Sequence, residues 1–116
     1  MIQIESEKAI IYMTAIGKLT NNDYDKMLPI LNEKIETFGK VSWYFQMKDF
    51  NGWSLSAFWR DVKFDIKNKD KLYKVAIIGY NDWQKLMTEF MKPFTNADIQ
   101  FFDDKDENEA KKWIKS

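Results

Sequence analysis

The stretch Lys48-Asp-Phe-Asn-Gly-Trp-Ser-Leu-Ser-Ala-Phe-Trp-Arg-Asp61 leaves an apolar strand, turns at Asn51-Gly52 and enters an amphipathic helix. Ahead of it, Val41, Trp43, Phe45 and Met47 alternate with Ser42, Tyr44, Gln46 and Lys48. That period of two predicts a strand with one strongly apolar face. Beyond the turn, Ser54 is placed to cap a helix. Leu55, Phe58 with Trp59, Val62 and Ile66 form its expected buried stripe. A strand feeding a helix is the unit of an α/β sheet, and the turn between them opens at the carboxyl edge, where such sheets usually carry their function. Trp53, Phe58 and Trp59 crowd this turn.

Toward the amino terminus, Ile2 and Ile4 alternate with Gln3 and Glu5 as a short strand. Ser6-Glu7-Lys8 reads as a turn, and Ala9 to Ile16 as a second strand that Gly17-Lys18 ends. The two strands are expected to form a hairpin. Thr20 reads as an N-cap, with Asp23 as a weak capping box. Tyr24, Leu28, Leu31, Ile35 and Phe38 follow on one helical face. Pro29 lies inside this pattern and is expected to kink or split the helix, and Gly39 is its stop.

Toward the carboxyl terminus, the polar run 67–71 reads as a solvated helix end. Val75-Ala-Ile-Ile-Gly79 is apolar on both faces, as in an interior parallel strand. Asn81 or Asp82 caps a third helix, in which Trp83, Leu86, Met87 and Phe90 share a face and which Pro93 breaks. Residues 94–98 form a loop, and Ile99 to Phe102 a last strand. Asp104 to Glu107 reads as a cap box for a terminal helix with Ala110, Trp113 and Ile114. The order ββαβαβαβα predicts one α/β domain over residues 1–116: a mixed, mostly parallel sheet of about five strands wound with helices through right-handed crossovers.

Composition narrows function by exclusion. The 116 residues include no cysteine and no histidine, which removes disulfides, thiolate or imidazole metal sites and histidine-based triads. Lysine plus arginine equals aspartate plus glutamate at 18 each, so the basic excess of a nucleic-acid binder is missing. The four glycines are scattered, and no loop cradles a phosphate. Met1 to Lys8 lacks a signal-peptide layout and no apolar run approaches spanning length, so a cytoplasmic chain is expected. Asp61 and Asp65 stand four apart, with Arg60 and Lys63 beside them, and read as a solvated helix face rather than a catalytic pair. A calcium loop starting at Asp104 would have Glu109 in place of its glycine and Lys115 in place of its terminal glutamate. No catalytic residue, metal or cofactor is expected.

Gly17-Lys18-Leu19-Thr20 with Asp23-Tyr24 and Leu28-Pro29 begins a longer set of residues. It continues through Asp49-Phe50 with Gly52-Trp53, the Ala57/Trp59/Asp61 spacing into Lys63-Phe64, the Val75–Gly79 strand, Trp83, and Lys92-Pro93-Phe94. In register from Gly17 to Trp113, the chain resembles the SpoIIAA-like family, a branch of the STAS superfamily of anti-sigma-factor-antagonist-type domains. The resemblance implies a sequentially ordered mixed sheet. It also implies two kinds of activity: a switch phosphorylated on a serine at the start of the helix after the third strand, or a carrier holding an apolar ligand against the sheet.

The switch would fall on Ser54 or Ser56 and would bind a protein partner. The superfamily's Asp-Ser-Ser-Gly-like motif is absent, and Ser54 has a plain reading as an N-cap. The carrier reading rests on Trp53, Phe58, Trp59, Phe64, Trp83, Phe90 and Phe94, more aromatics than one sheet face needs, with all but Phe64 taken as the binding residues. Trp53 and Phe94 fall in predicted loops, where an aromatic either folds onto the core or offers an apolar spot to a ligand, protein surface or bilayer. Phe58 and Phe64 lie about 240° apart on a helix, so a ligand, a lipid or a second subunit in a homodimer is expected to cover part of it. Met27, Met47, Met87 and Met91 would give an adaptable lining. The balanced charge argues against strong binding to anionic membranes. The sequence therefore predicts a non-enzymatic domain that binds an apolar small molecule or lipid, or a membrane or protein surface, with the phospho-switch as the alternative.

Overall fold

Three connections that each step one strand over in the same direction arrange this molecule. The strands are β1 (Ile2–Glu7), β2 (Ile10–Leu19), β3 (Val41–Trp53), β4 (Leu72–Gly79) and β5 (Asp98–Asp103), and they lie side by side in that order. β1 pairs antiparallel with β2, and the other three pairs are parallel. Right-handed crossovers put all three connecting helices on one face. These are α1 (Asn21–Phe38), α2 (Leu55–Lys67) and α3 (Asp82–Met91), while α4 (Glu107–Lys115) follows β5 and covers the other face. The computed structural model describes residues 1–68 and 70–116, with the backbone alone for Leu55, Ser56, Phe58, Trp59 and Asp65.

On the first face, Ile11, Met13 and Ala15 of β2 stand opposite Trp43, Phe45 and Met47 of β3. Tyr24, Met27, Leu31 and Ile35 of α1 close over them at helical spacing. Phe64 of α2 meets Trp43 edge-on, with ring centres 6.3 Å apart. On the second face, Tyr44, Ala76 and Ile78 lie under Ala110 and Ile114 of α4. The Lys74 ammonium reaches across from β4 and donates to the Trp113 and Ser116 carbonyls at 3.2 and 3.0 Å. It thereby joins the Ser116 N–H and hydroxyl in meeting the carbonyls at the end of α4.

Several expectations give way to longer-range packing. β3 is buried on both faces from Val41 to Met47, Ser42 and Gln46 included, because α4 covers the side read as exposed. α1 runs unbroken through Pro29, since buried side chains anchor it on either side of the proline. Phe38 is exposed in its last turn, with the Lys34 ammonium 5.5 Å above its ring. Among the described side chains of α2 the inward ones are Ala57, Val62 and Phe64, so Phe64 belongs to the core, while Ile66 is 51% exposed. The hairpin turn falls at Lys8-Ala9 and not at Ser6-Glu7-Lys8, and α4 follows a short 3-10 turn at Asp104–Asp106 in place of the cap box. No described helix is long and apolar enough to cross a membrane.

The contrast between Ile114 and Ile66 is testable. Ile114→Ala removes the centre of the second core and is expected to cost about 2–5 kcal/mol. Ile66→Ala, on an exposed surface, is expected to stay within about 1 kcal/mol. Urea denaturation of the two variants checks the difference, and equal losses would contradict the burial described.

Candidate functional site

The carboxyl end of β3 is built from irregularities. Opposite β2, Lys48 pairs with Ile16, Phe50 with Gly17, Gly52 with Lys18 and Trp53 with Leu19. Asp49 and Asn51 are therefore extra residues, each a bulge that twists the strand further. Asp49 and Gly52 take positive φ, 45° and 108°. The Asn51-Gly52 pair, read as a turn, thus belongs to an extended, bulged strand, and the chain leaves the sheet only at Ser54. The Tyr80 hydroxyl pins the bulge, accepting from Phe50 N–H at 2.6 Å and donating to Phe50 carbonyl at 3.3 Å. Trp53 then packs edge-on against Phe50 at 4.9 Å, and Trp83 stacks on Phe50 at 6.1 Å.

α3 presents an unexpected side to the sheet. Gln84 is 1% exposed and Thr88 is buried, while Trp83, Leu86 and Phe90 are 39%, 69% and 52% exposed. The expected apolar stripe thus points outward, apart from the half-buried Met87. Gln84 explains the rotation. Its Oε1 accepts from the Tyr80 N–H at 2.8 Å, and its backbone N–H is capped by Asn81 Oδ1 at 3.1 Å. The Thr88 hydroxyl donates to the Gln84 carbonyl at 2.9 Å. Gly79 makes room: a Cβ there would stand 2.4 Å from Gln84 Oε1 and 2.8 Å from the Phe101 ring.

Between α2, α3 and the sheet lies a cavity of about 60 Å³, several times the space one water needs. Trp43, Phe45, Met47, Trp53, Met87 and Met91 give it an apolar wall. Asp61 and Gln84 are among its few polar groups. The Trp53 Nε1–H donates to the Tyr24 hydroxyl at 3.1 Å, and that hydroxyl donates to Asp61 Oδ1 at 3.1 Å. This chain of bonds ties β3, α1 and α2 together beside the cavity. Burial raises the Asp61 carboxyl to about 6, against the smaller, lowering effect of the Tyr24 bond. Asp61 is therefore not the solvated carboxylate its spacing suggested. Outside the cavity, Arg60 pairs with Asp25 at 2.8 Å and donates to the Asn21 carbonyl.

The residues singled out by sequence divide into three groups. Trp53, half-buried, lines the cavity together with Met47, Met87 and Met91. Trp83, partly exposed, packs over the bulged end of β3 against Phe50 and Trp53, whereas Phe90 lies on the outer side of α3; half-buried Phe94 tilts against Phe90 at 5.6 Å. Met27 is core beneath α1. Phe58, Trp59 and Ser56 lie outside the described side chains. Ser54 caps α2, its hydroxyl accepting from the Ala57 N–H at 3.2 Å. Sequence reasoning passed over Gln84 and Thr88, and read Tyr24 as a position on the buried face of α1 with no part in a site. The i, i+4 pair of Gln84 and Thr88, following the Asn81 cap, was the one available signal. Among the described residues no group of three or more carboxylates gathers as a metal site.

The SpoIIAA-like family model matches residues 10–115. The chain belongs to the SpoIIAA-like family. A crystal structure of an uncharacterized protein with a SpoIIAA-like fold, from Shewanella loihica, is 31% identical with a TM-score of 0.77. That similarity covers 98% of this chain and 92% of the other. A search of curated proteins found no match. SpoIIAA-like domains are generally non-catalytic, and the fold supports a regulatory or binding role.

Two outcomes follow from this geometry. The folded chain holds the Asp61 proton up to about pH 6, whereas the unfolded chain releases it near 3.8. Its contribution to stability is therefore fully present at low pH and lost as pH rises from about 4 to 6. Asp61→Asn, which keeps an acceptor for Tyr24, is expected to melt above the parent at pH 7.5, with the gain shrinking toward pH 4. Thermal melts of both proteins across that range check the sign. Gly79→Ala forces the Cβ into Gln84 and Phe101 and is expected to cost about 1–3 kcal/mol, measured by urea denaturation.

Proposed function

We propose that this SpoIIAA-like domain is a non-enzymatic binding domain that takes up a small, mostly apolar molecule between α2, α3 and the sheet. The observation that carries the reading is the cavity wall: aromatic and methionine side chains, few polar groups, and Trp53 at its edge. Ligand sites have this composition, with apolar surface for affinity and a few polar groups for orientation. Met47, Met87 and Met91 are unbranched and can repack, so the wall can widen around a guest larger than the resting cavity.

A second reading is favoured by the outer side of α3. Trp83, Leu86 and Phe90 expose apolar surface at i, i+3 and i+7, the spacing of one helix face. Such a face suits contact with a protein or membrane surface. The phospho-switch draws support only from the place of Ser54 at the start of α2.

Native mass spectrometry of freshly purified protein, followed by organic extraction, tests the first reading. A bound apolar molecule is expected in the parent and in Trp83→Ala. It is expected to be lost from Met87→Trp, which fills the cavity from α3. Retention in Met87→Trp with loss in Trp83→Ala would move the site to the outer surface of α3.

A further inference from the structure

Gln84 gives the cavity a polar address. Its Oε1 accepts from the Tyr80 N–H, and that bond decides which end of the amide is which. Nε2 is therefore the other end, a donor. It is buried, belongs to the cavity wall, and has no hydrogen-bond partner among the described residues. A buried donor left without an acceptor is costly, and native chains rarely keep one without a use for it.

The side chain has little freedom to turn away. Its backbone N–H is held by Asn81, its carbonyl by the Thr88 hydroxyl and its Oε1 by Tyr80. Holding it inward goes with turning Leu86 and Phe90 out to solvent. The other polar side chains of the described wall, Asp61, Thr88 and Thr95, already make hydrogen bonds within the protein, so that donor is the main polar feature a guest would meet. Asp61, the ionisable group in the described wall, already accepts from Tyr24, and no described wall residue is cationic. An anionic head would enter beside a carboxyl group with no positive charge to offset it.

Resting on the cavity reading above, we infer that the ligand is an uncharged, mainly apolar molecule with one hydrogen-bond-accepting carbonyl oxygen, which seats on Gln84 Nε2. The class is that of ketones, aldehydes, esters and amides on an apolar body. Free fatty acids and plain hydrocarbons are disfavoured, the first by charge and the second by leaving Nε2 unmet.

Three probes of similar shape separate these cases: acetophenone, ethylbenzene and phenylacetate. Each is titrated into the ¹⁵N-labelled full chain, and the Gln84 side-chain amide signals are followed by NMR. Acetophenone is expected to shift that amide pair and to bind about 10-fold tighter than either other probe, the scale of one hydrogen bond. Gln84→Met, which keeps the volume and removes the donor, is expected to bind acetophenone and ethylbenzene equally. Ethylbenzene matching acetophenone in the parent would overturn the carbonyl assignment while leaving the cavity reading in place. Phenylacetate binding tightest would overturn the uncharged head. No probe shifting any cavity signal would overturn the cavity reading itself, and this assignment with it. The parent titrations decide the matter alone if Gln84→Met does not fold.

Discussion

The handedness of the crossover governs this structure. Each of the three parallel connections moves one strand along in the same direction, so α1, α2 and α3 must share one face of the sheet. The opposite face is left to whatever follows β5, and α4 is the helix that covers it. The crowded face is not sealed evenly. α1 packs tightly through Tyr24, Met27, Leu31 and Ile35. α3, by contrast, turns Gln84 and Thr88 inward, and both line the cavity.

Around that cavity the polar groups are few but joined to different elements. Tyr24 lies between Trp53 and Asp61, so one hydroxyl links a strand and two helices. Tyr80 does similar work on the other side, pinning the bulged end of β3 through Phe50 while its own N–H holds Gln84. A change in the cavity wall therefore reaches the sheet edge through directional bonds as well as through packing. The bulges at Asp49 and Asn51 set where Trp53 arrives, since without them β3 would pair with β2 in a different register.

Much of the fold is legible in the residues, because period and punctuation are local. The alternation along β3, the stripe of α1 and the caps Thr20, Ser54 and Asn81 each depend on a few neighbours. The misreadings share a cause: each was decided by tertiary packing that period and punctuation do not carry, whether the deciding residue is near or far in sequence. The period of α3 shows that Trp83, Leu86 and Phe90 share a face, but not whether it points in. A glutamine bond to Tyr80 and a missing side chain at Gly79 decide that. Asn51-Gly52 has the chemistry of a turn, yet Lys18 and Leu19 pair the strand beyond it. Asp61 looks solvated from its own helix, and its surroundings come from a tyrosine on α1. Of the site, sequence brought out Trp53 and the methionines and missed the amide beside them.

Gly79, Gln84 and Phe101 share one small volume, and this has a bearing on how the chain can drift. A Cβ at position 79 would meet both of the other two. Neither neighbour can be given up alone to make room, and a lineage in which all three had been replaced could not readily restore the glutamine. Its amide oxygen would need the space the new side chain had taken, and the Tyr80 N–H would by then have another partner. The order of substitutions, not merely their sum, would decide which descendants still carry a donor in the cavity. Relatives of this fold that differ at position 79 should therefore differ at position 84 as well.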